Sequence, residues 1–184
     1  MNGLAIAEER IAQCKADKIS YLSLSDLELD DIPSSIAELT WLGALSISRN
    51  NISNIDALTP LTNLHKLAFS NNNIKSIEVL SKLPKIRHLF MKHNQITDID
   101  SLQTLEKLKK IEANHNHIKN IDSIQTHKNL VFLDLAHNNL ESMQTILQIP
   151  SLIWLCIEGN PIENLSLQNI AESLPALRHF TYKQ

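Results

Sequence analysis

The chain has 184 residues, 43% of them hydrophobic, enough for one elongated domain. A formal net charge of −3 and a pI of about 6.2 exclude a general electrostatic grip on nucleic acid. No apolar run is long enough to cross a membrane, and residues 1–10 lack the charged start and apolar core of a secretion signal.

Residues 3–16 space Leu4, Ile6, Ala7, Ile11 and Ala12 as an amphipathic helix, which predicts a helical cap over residues 1–18. A degenerate coil then runs from Ile19 to about Trp41. Beyond it the chain repeats: Asn50, Asn72, Asn94, Asn116, Asn138 and Asn160 stand 22 residues apart. Each sits in one frame of apolar residues, as in Leu42, Leu45, Ile47, Asn50 and Ile52; in the degenerate coil Leu27 holds the asparagine position. A fixed period of this length predicts a solenoid of stacked coils, here coils two to six at 42–63, 64–85, 86–107, 108–129 and 130–151.

Within a coil, alternation such as Leu67-Ala68-Phe69 or Leu133-Asp134-Leu135 marks a short strand. Neighbouring coils set these strands in a parallel ladder about 4.8 Å apart. The repeated asparagine follows at the turn, where its amide is expected to pair backbone groups of that turn and of the next coil. Apolar residues at every third position afterwards, such as Ile74, Ile77, Leu80 and Leu83, suit short 3₁₀ or extended segments on the convex side. One coil alone cannot bury enough apolar surface to fold, so the array depends on its interfaces and caps.

A seventh coil starts at Leu152 and lengthens after Pro161, giving a solenoid over 19–176. Ile170, Ala171, Leu174 and Pro175 predict a short closing helix; Leu177, Phe180 and Tyr182 begin a last strand, 177–184, that is not completed. Two residues break the frame. Ala113 stands where other coils have Phe69, Met91 and Leu135, a gap that large neighbours can fill. His127 replaces the leucine of 61, 83 and 105, which a half-exposed convex edge would tolerate.

Charge is uneven along the array. Residues 1–63 carry 4 basic and 9 acidic side chains, 64–128 carry 11 and 6, and 129–184 carry 2 and 5. The centre is basic and both ends acidic, as would steer a partner with an acidic patch to the middle coils. Only two cysteines occur, Cys14 and Cys156, too distant to pair in a solenoid; free thiols without disulfide caps fit a reducing, cytoplasmic setting.

The strand residues flanking the central apolar one face the concave side. Those before it are Tyr21, Ala44, Lys66, His88, Lys110, Phe132, Trp154 and His179; those after it are Ser23, Ser46, Ala68, Phe90, Glu112, Asp134, Cys156 and Thr181. From coil four onward this face turns aromatic and charged. Phe90, Phe132 and Trp154 add nothing to a core that the frame already supplies, and clustered exposed aromatics bordered by charge mark a protein-binding surface. We therefore expect partner binding through Phe90, Phe132 and Trp154 as apolar anchors, Glu112 and Asp134 setting polarity, and His88, Lys92 and Lys110 on the basic side.

His93, His115 and His137 precede the asparagine in three successive coils and invite a metal reading. Adjacent pairs at about 4.8 Å could share an ion, but three ligands spread over about 10 Å are strained around one tetrahedral zinc. No metal site is expected. Cys156 has Asp134 and Thr181 for neighbours, and an acidic neighbour discourages the thiolate. With 3 glycines in all, a Gly-rich phosphate loop is nearly excluded. Neither enzymatic activity nor a cofactor is expected.

The stretch NNIKSIEVLSKLPKI (72–86) resembles the short 22-residue leucine-rich repeat found in the protein phosphatase 1 regulatory subunit, the axonemal dynein light chain and bacterial internalins. The likeness covers about residues 19–182. Residues 7–36 look like the start of repeats in bacterial Roco-type proteins, and GNPIENLSLQNIAESLPALRHF (159–180) is similar to the closing cap of the short-repeat kind, without its usual Tyr-Arg pair. The resemblance implies an α/β solenoid, a right-handed leucine-rich repeat with a parallel concave sheet. It also implies a module that binds a protein on the concave face, and we expect a monomeric or weakly associating adaptor. The alternatives are a regulatory or targeting subunit or recognition domain of a larger enzyme or effector, and a histidine-ladder metal binder.

Overall fold

The computed structural model describes residues 2–163 and 166–182. Lys183 and Gln184 of the expected last strand, and Met1 of the cap, lie outside the described residues. The chain forms one open parallel sheet of eight three-residue strands in sequence order. They are β1 (Tyr21–Ser23), β2 (Ala44–Ser46), β3 (Lys66–Ala68), β4 (His88–Phe90), β5 (Lys110–Glu112), β6 (Phe132–Asp134), β7 (Trp154–Cys156) and β8 (His179–Thr181). The register steps from Leu45 to Leu67, Leu89, Ile111, Leu133 and Leu155, one repeat at a time. The closing strand, expected to stay unfinished, is as long as the others and pairs over all three residues with β7.

Convex segments are short 3₁₀ turns, such as Glu78–Lys82 and Asp100–Thr104. Four of them carry Asp or Glu in the first turn, where the unpaired N–H groups gather: Asp56, Glu78, Asp100 and Asp122. The core is one continuous stack of frame residues, nearly all fully buried.

The asparagines hold the stack together. Asn72 donates from Nδ2 to the carbonyls of Phe69 in its own coil and Ile47 in the coil before, both at 3.0 Å, while its Oδ1 accepts from Ile52 N at 3.0 Å. Asn94, Asn116, Asn138 and Asn160 repeat the pattern. The amide thus reaches back to the preceding coil rather than forward to the next. Leu27 can stand at the frame position of coil one because no coil lies behind it.

Helix α1 (Gly3–Asp17) covers that first coil. It opens on Asn2, whose side chain accepts from Ala5 N, and ends at Lys18 in a left-handed conformation, φ 52°. The buried stripe is Ala7, Ile11 and Cys14, while Leu4 is 52% exposed and Ala12 is also in solvent. Small residues let the helix lie close. Gly3 is so near the first coil that a Cβ there would stand 1.6 Å from the Leu27 carbonyl oxygen, and this approach turns Leu4 outward. At the other end α2 (Leu167–Ser173) and the residues after it bury Ile170 and Leu174 but leave Ala171 and Pro175 exposed.

His127 corrects the sequence reading. It is 3% exposed, as fully enclosed as the leucines it replaces. Its Nε2 lies 3.0 Å from the Leu102 carbonyl oxygen and must be the protonated nitrogen, which leaves Nδ1 buried without a partner. Replacing His127 by leucine should raise stability by about 1–2 kcal/mol, because Leu102 O keeps the Leu105 N–H while the orphaned acceptor disappears. Burial pushes the imidazole below its ordinary range, against weaker pulls from the Leu102 carbonyl and Glu106. The unfolded chain therefore takes up a proton near pH 6.5 that the folded chain resists, so stability falls as pH drops through that value. Urea midpoints of wild type and His127→Leu, compared at pH 7.5 and pH 5.5, should diverge further at the acid value. An unchanged gap would refute the assignment.

Candidate partner-binding face

Every concave residue assigned from the repeat lies in the register expected of it. Lys66, His88, Lys110, Phe132 and Trp154 form one column, and Ala68, Phe90, Glu112, Asp134 and Cys156 the next. The eight proposed site residues are half-buried rather than openly exposed. The reason is lateral. Side chains on adjacent parallel strands stand side by side, and large ones cover each other.

Phe132 and Trp154 stack face to face, centroids 4.1 Å apart and planes 4° from parallel. The Lys110 ammonium sits 3.9 Å from the Phe132 centroid and 2.8 Å from Glu112 Oε1. On its other flank it lies 5.3 Å from Phe90, which Lys66 approaches at 5.4 Å. Phe90, Lys110, Phe132 and Trp154 therefore make one ledge, a cation between two rings with a third ring stacked behind. His88 stands upstream, its imidazole held below the ordinary range by burial and then by Lys66, His65, Lys109 and Lys110. Downstream, burial raises the Asp134 carboxyl, helped by Glu112; its Oδ1 accepts from Ala136 N at 3.1 Å, and Lys92 and His137 pull the other way. The face is bipolar, basic upstream at Lys66 and His88 and acidic alongside the ledge at Glu112 and Asp134.

Cys156 is buried beside Asp134, and burial with the two nearby carboxylates keeps it a thiol. The histidine column is set by the backbone. Arg49, Asn71, His93, His115 and His137 all have φ between 51° and 57°, and Gly159 follows at 67°. Gly, Asn and His enter this region more readily than most residues. The three rings stack at 4.2 and 4.3 Å, within 20° of parallel. Ring nitrogen lone pairs lie in the ring planes, so stacked rings aim them side by side and not at a common point. Among the described residues no group of three or more His, Cys, Asp or Glu could hold a metal ion.

A trough of about 270 Å³ opens over coils one to four, floored by Ala44, Ser46, Ser48, Ala68 and Ser70 and walled by Tyr21, Phe90 and Lys92. The run of small residues was visible in the sequence. That it forms a depression depends on the large side chains standing at either end of it.

A family model described as Leucine Rich repeats (2 copies) matches residues 62–104. No curated protein matches the chain. Among solved structures it is similar to an internalin (inlF) from Listeria monocytogenes, with 26% identity and a TM-score of 0.86 over 90% of this chain and 48% of that one. The chain thus spans about half the length of that internalin. Internalin C2 (inlC2) of the same organism gives 24% identity and a TM-score of 0.84, covering 97% of this chain and 83% of its own. A leucine-rich repeat protein of Leptospira interrogans gives 24% and 0.75, covering 83% and 40%. The last two likenesses bear on the fold alone.

Proposed function

The chain is a leucine-rich repeat protein of the short-repeat kind, and we propose that it takes a protein partner on its concave face, across coils four to seven. Leucine-rich repeat proteins are in general interaction modules and typically not enzymes. The observation that carries the finer reading is the Phe132–Trp154 stack with Lys110 against it. These rings lie outside a core that is already closed beneath them by Leu133 and Leu155, both 0% exposed. Aromatic and cationic groups in one half-buried patch are the side chains that most often dominate binding energy. A reducing, cytoplasmic setting belongs to the same proposal, supported by two buried and unpaired cysteines.

The test is capture from a lysate of the source cells, read by mass spectrometry, with Phe90→Ala/Phe132→Ala/Trp154→Ala as the comparison. The variant removes half-buried rings above an intact core and should give an unchanged far-UV spectrum. A protein held by wild type and lost by the variant is the expected result. Identical catches would overturn the assignment of the face.

A further inference from the structure

The same sheet carries a second feature at the leading edges of β3, β4 and β5. His65, Arg87 and Lys109 are successive rungs of the parallel ladder: Arg87 N donates to His65 O and Lys109 N to Arg87 O, each at 2.8 Å. The next column is Lys66, His88 and Lys110, in direct register. Six basic side chains therefore occupy a grid three coils wide, spaced about 4.8 Å along it. The ion pairs found among the described residues are Lys15–Glu38, Arg49–Asp26 and Lys110–Glu112. Among the described residues Lys66, Arg87 and Lys109 take part in none of these pairs, and His65, Lys66 and Lys109 are close enough to His88 to disfavour its protonation. Cations at this spacing repel each other by about 1 kcal/mol even in water.

We infer that this grid docks a short acidic polypeptide segment of the partner, laid across the coils with an apolar side chain following it onto the Phe132–Trp154 ledge. The inference rests on the concave-face reading above and adds the chemistry of the partner. Two observations favour a short segment over a long polyanion. The net charge is +5 over residues 64–128 but −5 before them and −3 after them, from the side-chain counts of each stretch. A duplex or an anionic membrane wide enough to meet the grid also meets the acidic ends, whereas about three or four extended residues fit between them. The ledge, moreover, lies on the next strands of the same column, Lys110 pairing with Phe132 and Phe132 with Trp154. A partner that meets both is acidic and then aromatic or aliphatic in sequence, which is a property of polypeptide.

The probe is a fluorescein-labelled peptide with a run of glutamates followed by leucines, read by anisotropy beside its glutamine counterpart. Arg87→Glu/Lys109→Glu reverses two exposed charges of the grid; Lys75→Glu/Lys119→Glu makes the same change in net charge at exposed positions away from it. The glutamate peptide should bind wild type and the second variant alike, and the first variant about tenfold more weakly or worse, with all binding weakening as salt rises. No binding to wild type, equal loss in both variants, equal binding of the glutamine peptide, or tighter binding of duplex DNA or phosphatidylserine vesicles would each overturn the inference. Running Arg87→Glu/Lys109→Glu in the capture experiment separates the two readings. A partner that it retains and the aromatic variant loses leaves the concave face standing and removes the acidic segment.

Discussion

Asn116→Ala should destabilise the protein by about 3–5 kcal/mol and divide its unfolding into two transitions. The Asn116 amide donates to the carbonyls of Met91 and Ala113 and accepts from Ile96 N, each at 3.0 Å. Those carbonyls keep a second amide each, from Asn94 and Asn138, so they lose one bond of two. The Ile96 N–H is left with nothing. An orphaned buried donor costs about 1–3 kcal/mol, and each lost neutral bond about 0.5–1.5 kcal/mol. Because stability in such an array is carried by neighbouring interfaces, a weakened central coil uncouples the two sides. Trp41 and Trp154 lie on either side of the damage, at the first and seventh coils. Urea unfolding followed in single-tryptophan backgrounds should give coincident midpoints with Asn116 and separate midpoints without it. A loss below about 1 kcal/mol would show that the amide ladder is dispensable.

Phe69→Ala is expected to cost about 3–5 kcal/mol, the range for removal of a buried aromatic ring. Phe69 is the largest of the fully buried side chains. Its carbonyl is held by Asn72 and Asn94, and its N–H donates to Phe90 O at 2.8 Å. With the backbone fixed on both sides, the coils cannot close over the space the ring leaves. Ala113 occupies the same column, fully buried between Met91 and Leu135, so alanine there is compatible with the frame where neighbouring volume allows it. Phe69→Leu should recover most of the loss. Chemical denaturation of the three proteins settles it, and a Phe69→Ala cost near 1 kcal/mol would mean that the stack collapses freely.

Much of the architecture was legible because it is written locally. A 22-residue period with one apolar frame fixes which residue of each coil faces inward, and every concave residue read from it is in its register. The misreadings share a cause. The frame suggests a half-exposed edge for His127, yet it is sealed in against the Leu102 carbonyl of the previous coil. Helical spacing puts Leu4 and Ala12 on the buried face of the cap, but the helix lies with Gly3 against Leu27 and buries Ala7, Ile11 and Cys14 instead. The aromatics were expected to be open, and each is half-covered by its lateral neighbour.

The repeat, the strand positions, the asparagine sites and the columns of the concave face follow from the order of residues alone. Periodicity is a property of each coil taken alone, and a repeated frame repeats its inward and outward directions. What the columns become depends on how the coils pack. Packing stacks Phe132 on Trp154, aligns three histidine rings in parallel, and gathers basic residues from 65–66, 87–88 and 109–110 onto one edge. These groupings arise when residues 22 apart in sequence come within about 5 Å across the ladder. What meets there is set by the difference between neighbouring coils, which a repeat, being an average over coils, does not record.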